Sequence, residues 1–576
     1  MDTETKEKRR RDRTIEHHLF QGMAAYQRSR AAGEWCEPRW VRFTRAGAFW
    51  DWLEPQLMPK TRCYLFAHNL GFDLPVLHAF TELPKRGWEL ARCVIETPPI
   101  ILVWRKGLLN LTMLDTLNFW RSSLEELGDS IGLPKLKRPS LRASRARWDR
   151  YNKRDVEIIR KAVHSFWELL RLHDLGGFAP TLASQAVRAF RHRFMGHQVL
   201  IDDDLEALDL ARRSLHGGRV ECFRLGAIPG RVHCLDVNAM YPAVMRSQEY
   251  PTVLRYVGRQ VTRRELVRWL KKYAVVADCL IETKRPRYAV VHEDRLVFPV
   301  GRLRVQLTTP ELAEAIGRRE LRRVVSVALY ERAPLFVGFI DKLYAMRDQA
   351  KAAGDEVQSY MLKILTNSLY GKFAQRGFQW REHSHTTDLA VKVWSELDAE
   401  TGELNHYRQL AGLVQERQRE GESQDSHPAI ASHVTAYART LLWELLERAG
   451  RENVYYCDTD SLMVNDRGLE RLGGALDPAR LGALKYVCQT HTLRLYGPKD
   501  YRLGRQRVLK GIRAKAKHRG GATWLQEQWS TLVGLLNDGQ ADAPLVRSIT
   551  KTMKRDYRKG EVQPSGLVLP LRLRQW

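Results

Sequence analysis

The chain of 576 residues contains no apolar run near the roughly 20 residues that a spanning helix needs, so no membrane-crossing segment is expected. Its eight cysteines include no Cys-X-X-Cys pair, which argues against a disulfide framework and a zinc site and suits a reducing cytosol. The start, Met1-Asp2-Thr3-Glu4, has no signal-peptide pattern. Neither an internal repeat nor a Gly/Ser linker breaks the sequence. Acidic residues are scarce beside basic ones: 67 Asp plus Glu face 94 Lys plus Arg, a formal charge of +27. Such a field attracts polyanions and speeds their capture. The imbalance is steep over residues 501–576, where 16 Lys/Arg face 5 Asp/Glu. Length implies several domains.

The acids that are present are concentrated in pattern. Tyr456-Cys457-Asp458-Thr459-Asp460-Ser461 lies between the apolar runs Val454-Tyr455 and Leu462-Met463-Val464, which reads as strand, acidic turn and strand. Residues i and i+2 of an extended chain share a side, so both carboxylates would face one hard cation. Upstream, Cys234-Leu235-Asp236-Val237-Asn238-Ala239-Met240-Tyr241-Pro242 delivers another acid at the end of an apolar strand, with an aromatic ahead of a proline that stops regular pairing. Between the two lies Lys363-Ile364-Leu365-Thr366-Asn367-Ser368-Leu369-Tyr370-Gly371. Lys363, Asn367 and Tyr370 fall at i, i+4 and i+7, one face of a helix that Gly371 is expected to close. That face carries a point charge suited to a triphosphate, an amide, and a ring that can stack on a base.

In this order the three segments resemble the polymerase motifs of family-B DNA polymerases. The resemblance implies that Asp236 and Asp460 hold paired Mg²⁺ ions, two per active site and replaceable by Mn²⁺, with Asp458 assisting. It also implies that Tyr241 packs under the incoming sugar and excludes a 2′-hydroxyl, that Lys363 contacts the triphosphate, and that Asn367 and Tyr370 shape the nascent base pair. Arg347, with Lys351 at i+4, would add positive charge toward the same triphosphate. Pro498-Lys499-Asp500-Tyr501 is similar to the Lys-X-Tyr element that grips the primer strand, and Lys510-Gly511-Ile512-Arg513 follows as a second basic turn. Leu215-His216-Gly217-Gly218-Arg219 resembles the Tyr-X-Gly-Gly loop that joins the two active sites of these enzymes, with Leu215 in place of the ring; Gly217 and Gly218 would allow close approach of a DNA backbone.

The amino-terminal third is similar to the 3′–5′ proofreading exonuclease of the same family. Asp2-Thr3-Glu4, Ala67-His68-Asn69-Leu70-Gly71-Phe72-Asp73 and Tyr151-Asn152-Lys153-Arg154-Asp155 carry that likeness. By that match Asp2, Glu4, Asp73 and Asp155 hold two metals and Tyr151 orients the attacking water. Asn69, Phe72, Ser123 and Leu124 match single-strand binding positions, and an assisting lysine is either Lys135 or Lys137. The first acid is residue 2, whereas this fold normally has several residues of strand before it. A shortened strand there would remove ladder hydrogen bonds beside the metals and weaken the exonuclease even with all four acids in place.

The expected fold class is α+β multidomain: a ribonuclease-H-like 3′–5′ exonuclease followed by a right-hand palm, fingers and thumb. The expected boundaries are exonuclease 1–175, connector 176–213, palm 214–251, inserted subdomain 252–335, fingers 336–376, second insertion 377–430, palm 431–500 and thumb 501–576. Two insertions in so short a chain look like the protein-primed polymerases of linear phage and plasmid genomes, in which the first meets a terminal protein and the second encircles DNA. The polar stretch Glu400-Thr401-Gly402-Glu403 to Gln418-Arg419-Glu420-Gly421-Glu422-Ser423 is expected as a hairpin or a partly disordered segment. The resemblance thus implies DNA template and primer, deoxynucleoside triphosphates and a terminal protein as partners, no membrane, and a cytoplasmic place in a bacterial host or at its nucleoid, an organelle matrix being the other setting. Other readings are a primer-dependent or primer-independent polymerase of a mobile element, and an inactive DNA-binding relic.

Overall fold

The computed structural model describes residues 1–576 apart from 12, 13, 30–33, 97, 378, 379, 419, 420 and 543. At its centre is an antiparallel five-stranded sheet in the order Leu484–Thr490, Val232–Val237, Ser461–Val464, Val454–Asp458, Val220–Cys222. These are short runs rich in Val, Leu, Tyr and Cys, residues that fit a pleated, buried surface. The helix Pro428–Ala449 packs behind them and is buried on nearly every side, as its all-round apolar pattern requires.

The helices Val337–Ala352 and Glu356–Phe373 form an antiparallel pair beside this sheet, and Asp355 caps the second by accepting from Gln358 N. Gly371 does not close that helix, which runs on to Phe373. Leu369 and Phe373, at i and i+4, are both buried, and burying a Phe side chain (about 1.5–3 kcal/mol) outweighs the roughly 1 kcal/mol cost of an interior glycine. After the strand ends at Val237, Tyr241 and Pro242 lie in the first turn of the helix Met240–Ser247, where a proline costs no hydrogen bond.

Residues 250–333 carry their own sheet and core, in the order Tyr250–Arg259, Leu321–Ala333, Ala274–Thr283, Val300–Thr308. Residues 380–417 form a four-stranded antiparallel sheet, more than the hairpin expected, with Glu400 to Glu403 at the tip of one connection. Of the polar stretch named above, Arg419 and Glu420 lie outside the described residues.

At the amino-terminal end, Asp2–Arg9 pairs with Ile15–Tyr26 from Asp2 opposite Met23 to Arg9 opposite Ile15. Asp2 is the first residue of this eight-residue strand, as the position of the first acid implied, and the ladder has a register shift between Glu4 and Thr5.

Residues 501–576, expected as the thumb, send strands into more than one sheet. Thr523–Trp529 and Leu545–Thr552 extend the amino-terminal sheet through Ile15 opposite Val546 and Glu16 opposite Leu545. Leu532 and Leu536 enter the amino-terminal core together with Leu410 and Leu413 of the second insertion. Arg572–Arg574 adds a parallel strand to the sheet of residues 250–333. Among the described residues no helix is long and apolar enough to cross a membrane.

Candidate active sites

The central sheet brings the three polymerase-motif acids to one edge. Asp236 is the register partner of Ser461, the neighbour of Asp460, and Val237 N donates to Asp460 O at 2.7 Å. Asp458 ends the strand on the other side of the hairpin, and Thr459 makes the turn with φ +61°. The Asp460 carboxyl is pushed up to about 6, first by burial and then by the charge of Asp236, with Asp458 adding to it. Concentrated negative charge of this kind fits a divalent cation. Two lysines answer part of it: Lys485 Nζ is 2.7 Å from Asp236 Oδ2 and Lys499 Nζ is 3.1 Å from Asp458 Oδ2. Asp458 Oδ2 also accepts from Tyr456 Oη at 3.0 Å, and that oxygen accepts from Lys499 N, so Lys499 is tied to the acidic hairpin through both backbone and side chain. Tyr501 packs near Tyr456, with ring centroids 5.6 Å apart.

The finger helix lies against this edge. Tyr370 stacks on Tyr241 with centroids 4.5 Å apart and planes at 12°, which couples the ring after Asp236 to the helix face. Lys363 and Asn367 are exposed on the same face while Leu365 and Leu369 are buried behind it. On the preceding helix, Arg347 lies over the Tyr344 ring at 5.6 Å and Lys351 pairs with Asp348 of its own helix at 3.7 Å.

The loop 215–219 departs from expectation at Gly218. A Cβ there would meet Thr459 Cγ2 at 2.7 Å and Oγ1 at 3.0 Å, so the close approach is made by the acidic turn of the protein itself; only the Cβ position of Gly217 is open. Two buried arginines that motif reasoning missed bracket this loop. Arg439 Nη1 donates to His216 O at 2.7 Å, and its Nη2 pairs with Glu311 at 2.9 Å. Burial alone would raise the Glu311 carboxyl, but Arg439 and the Thr308 backbone N–H more than offset it, leaving it lowered. Arg219 O accepts from Thr459 N at 2.7 Å, and its guanidinium pairs with Glu221 between the rings of Phe298 and Trp443. The available signal for Arg439 was a lone cation in the apolar run 428–446, since an unpaired arginine is almost never buried.

A second acidic site sits about the amino-terminal strand. Oxygens of Asp2, Glu4 and Asp155, the last delivered by the helix Arg145–Leu172, lie within 4.8 Å of one another. Burial raises the Asp2 carboxyl well above its usual range, and Asp155, Asp73 and Glu4 raise it further. Asp2 Oδ2 and Asp155 Oδ1 are buried without a hydrogen-bond partner, an arrangement that suits a cation. Asp73, the fourth expected acid, is not one of this trio, though its charge acts on Asp2. Its Oδ1 accepts from Thr3 N at 3.1 Å and Thr3 Oγ1 at 2.6 Å, and burial, opposed by those bonds, pushes its carboxyl up to about 7. The choice between lysines is also narrowed. Lys135 pairs with Asp155 and lies 4.7 Å from the centroid of the buried Tyr151 ring, whereas Lys137 is exposed. Arg138, another residue missed, holds Glu4 at 2.9 Å.

Of the single-strand positions, Asn69 is exposed at φ +72°, its N–H bonded to Asp115 Oδ1. Ser123 caps the helix Leu124–Ser130 in a capping box with Glu126, and Leu124 is buried. Phe72 contacts the rings of His17 and Trp529.

Residues 142–384 match the family described as "DNA polymerase type B, organellar and viral". The chain is 27% identical over 304 residues to the DNA-directed DNA polymerase of Enterobacteria phage PRD1, covering 52% of this chain and 51% of that protein. It is 24% identical over 340 residues to a probable DNA polymerase of Neurospora intermedia, covering 56% of this chain and 34% of that one. The chain thus spans about half, or less, of the length of these relatives. Among solved structures it is similar to Phi29 DNA polymerase in an orthorhombic crystal form, with a TM-score of 0.67 at 16% identity over 96% of this chain and 99% of that one. It is also similar to Phi29 DNA polymerase complexed with primer-template DNA, with a TM-score of 0.66 at 16% identity over 92% and 99%. Residues 142–384 thus carry a likeness to the type-B DNA polymerases of organellar and viral type, and the chain has the fold of the Phi29 enzyme over nearly its whole length.

Proposed function

We propose that the chain is a template-directed DNA polymerase with an attached 3′–5′ exonuclease, taking primed DNA and deoxynucleoside triphosphates. The observation that carries this reading is the meeting of Asp236 with the Asp458–Asp460 hairpin on one sheet edge, beside the Tyr241–Tyr370 stack. Two Mg²⁺ ions bound by Asp236 and Asp460, with Asp458 assisting, would activate a 3′-hydroxyl and neutralise the leaving pyrophosphate. The protein's own part is positioning. Lys363 meets the triphosphate, and Asn367 with Tyr370 bounds the base pair. Tyr241, held by its stack, leaves no room for a 2′-hydroxyl. Lys499 and Tyr501 hold the primer strand, and Arg347 adds charge behind the triphosphate. In the exonuclease, Asp2, Glu4 and Asp155 hold the metals with Asp73 nearby, Tyr151 and Lys135 orient the attacking water, and Asn69, Phe72, Ser123 and Leu124 hold the unpaired strand.

Initiation in this reading is primed by a terminal protein that docks on residues 250–333, while the sheet of residues 380–417 borders the DNA path. The charge of +27 and the match to the phage polymerase support it. An inactive relic is not favoured, because every motif carboxylate is in place.

The test is primer extension on a singly primed circle with Mg²⁺, with Mn²⁺ and with EDTA, for the wild-type chain and for Asp460→Ala and Asp155→Ala. Asp460→Ala should abolish synthesis and keep exonuclease activity; Asp155→Ala should do the reverse. Synthesis by Asp460→Ala at the wild-type rate would overturn the assignment. Adding a candidate terminal protein to an unprimed linear template tests the mode of priming.

A further inference from the structure

The carboxy-terminal strands come to the exonuclease by hydrogen bonding. Trp529 is the register partner of Val546, which is itself the partner of Ile15, and His17 N donates to Pro544 O at 3.2 Å. This row carries the Trp529 indole onto the His17 ring, with centroids 5.0 Å apart at 34°, and against the edge of Phe72 at 5.6 Å and 68°. His17 meets Phe72 at 5.5 Å and is fixed by Thr5 Oγ1 on Nδ1 at 2.8 Å. Phe72 immediately precedes Asp73, whose carboxylate is bound by Thr3, the residue between Asp2 and Glu4. The rings are thereby tied to Thr5 on the strand that carries Asp2 and Glu4, and to the helix that carries Asp73.

An indole placed only to fill a core would be buried, yet Trp529 is 36% exposed while the His17 beneath it is 7% exposed. Its neighbours on the strand, Glu527 and Gln528, are exposed too, so the ring borders solvent. Arg138, half-exposed and paired with Glu4, places a guanidinium on the acidic trio. Open aromatic faces next to a cation are what unpaired nucleic acid requires: stacking for a base, charge for a phosphate.

We propose that Trp529 is a binding residue of the exonuclease, stacking on a base of the unpaired 3′ end as it reaches Asp2, Glu4 and Asp155. The site is thereby shared between the two ends of the chain, with Phe72 and His17 as its floor and Trp529 as its outer wall. This rests on the exonuclease reading above.

The test measures binding of a 5′-fluorescein oligo(dT) by anisotropy in EDTA, and excision of the same oligonucleotide in Mg²⁺, on the full chain as wild type, Trp529→Ala and Trp529→Phe. Stacking is worth about 1–3 kcal/mol per base, so Trp529→Ala should weaken binding by about 5- to 150-fold and raise KM far more than it alters kcat; Trp529→Phe should recover most of the loss. Unchanged binding by Trp529→Ala overturns the proposal. A loss that Trp529→Phe does not recover, or a fall in kcat at constant KM, also overturns it, because a sheet prop rather than a stacking face would behave so. A wild-type chain that binds oligo(dT) through Trp529 but excises nothing would sink the exonuclease reading while leaving the stacking site standing.

Discussion

Replacing Gly218 by Ala isolates the contact between the loop 215–219 and the acidic turn. No unusual backbone angle is involved at Gly218, so the only penalty is space. The new methyl would lie 2.7 Å from Thr459 Cγ2, against 3.4 Å for an ordinary contact, and the turn or the loop must retreat by about 0.7 Å. Overpacking of this kind costs about 1–3 kcal/mol. Because Thr459 separates Asp458 from Asp460, a retreat of the turn displaces two of the three carboxylates, and a misplacement near 1 Å costs about 10²-fold in rate. Gly218→Ala should therefore lower kcat/KM for primer extension by about 10- to 100-fold, with single-strand excision by the same preparation as the internal control. Thr459→Gly removes Cγ2, Oγ1 and Cβ at once, and at φ +61° glycine suits the backbone better than threonine. The double variant should recover most of the lost rate. Wild-type extension by Gly218→Ala, or a double variant slower than Gly218→Ala alone, would refute the steric argument and return Gly218 to a role in contacting DNA.

Lys135→Ala should cut excision by about 10- to 100-fold, while Lys137→Ala changes it less than twofold; equal losses in a gel-based excision assay would contradict the placement of Lys135 on Asp155. Tyr241→Val should raise ribonucleotide incorporation, scored by alkali-sensitive product, and unchanged discrimination would remove Tyr241 as the barrier to a 2′-hydroxyl. Without metal, Asp73 and Asp460 titrate near 7 and 6 in the folded chain, chiefly through burial, against about 3.8 unfolded. The folded state then keeps protons that the unfolded state has lost, so the stability present below about pH 4 declines as pH rises through 6 to 7. Tm in EDTA should fall across that window, and Asp73→Asn should flatten its upper part; parallel curves for the two proteins would show that Asp73 does not carry the effect.

Much of the polymerase centre could be read along the chain because its parts are local. A strand ending in Asp236, a hairpin Asp458-Thr459-Asp460 and a helix face Lys363, Asn367 and Tyr370 each follow from periodicity over fewer than ten residues. The end of the finger helix was less legible, since the burial of Phe373 that carries it past Gly371 depends on partners far away in sequence.

What the sequence by itself determined was therefore the chemistry: which acids, rings and cations exist, at what spacing, on which kind of element. Tertiary structure alone decided who stands next to whom. Arg439 is bonded to His216 O across 223 positions, Thr459 fills the space that Gly218 leaves, Lys135 rather than Lys137 reaches Asp155, and the carboxy-terminal strands join the exonuclease sheet. The physical reason is that hydrogen-bond ladders and buried ion pairs are satisfied by geometry, whatever the distance along the chain. Local pattern can say that a strand edge or a lone arginine needs a partner, but only packing chooses one.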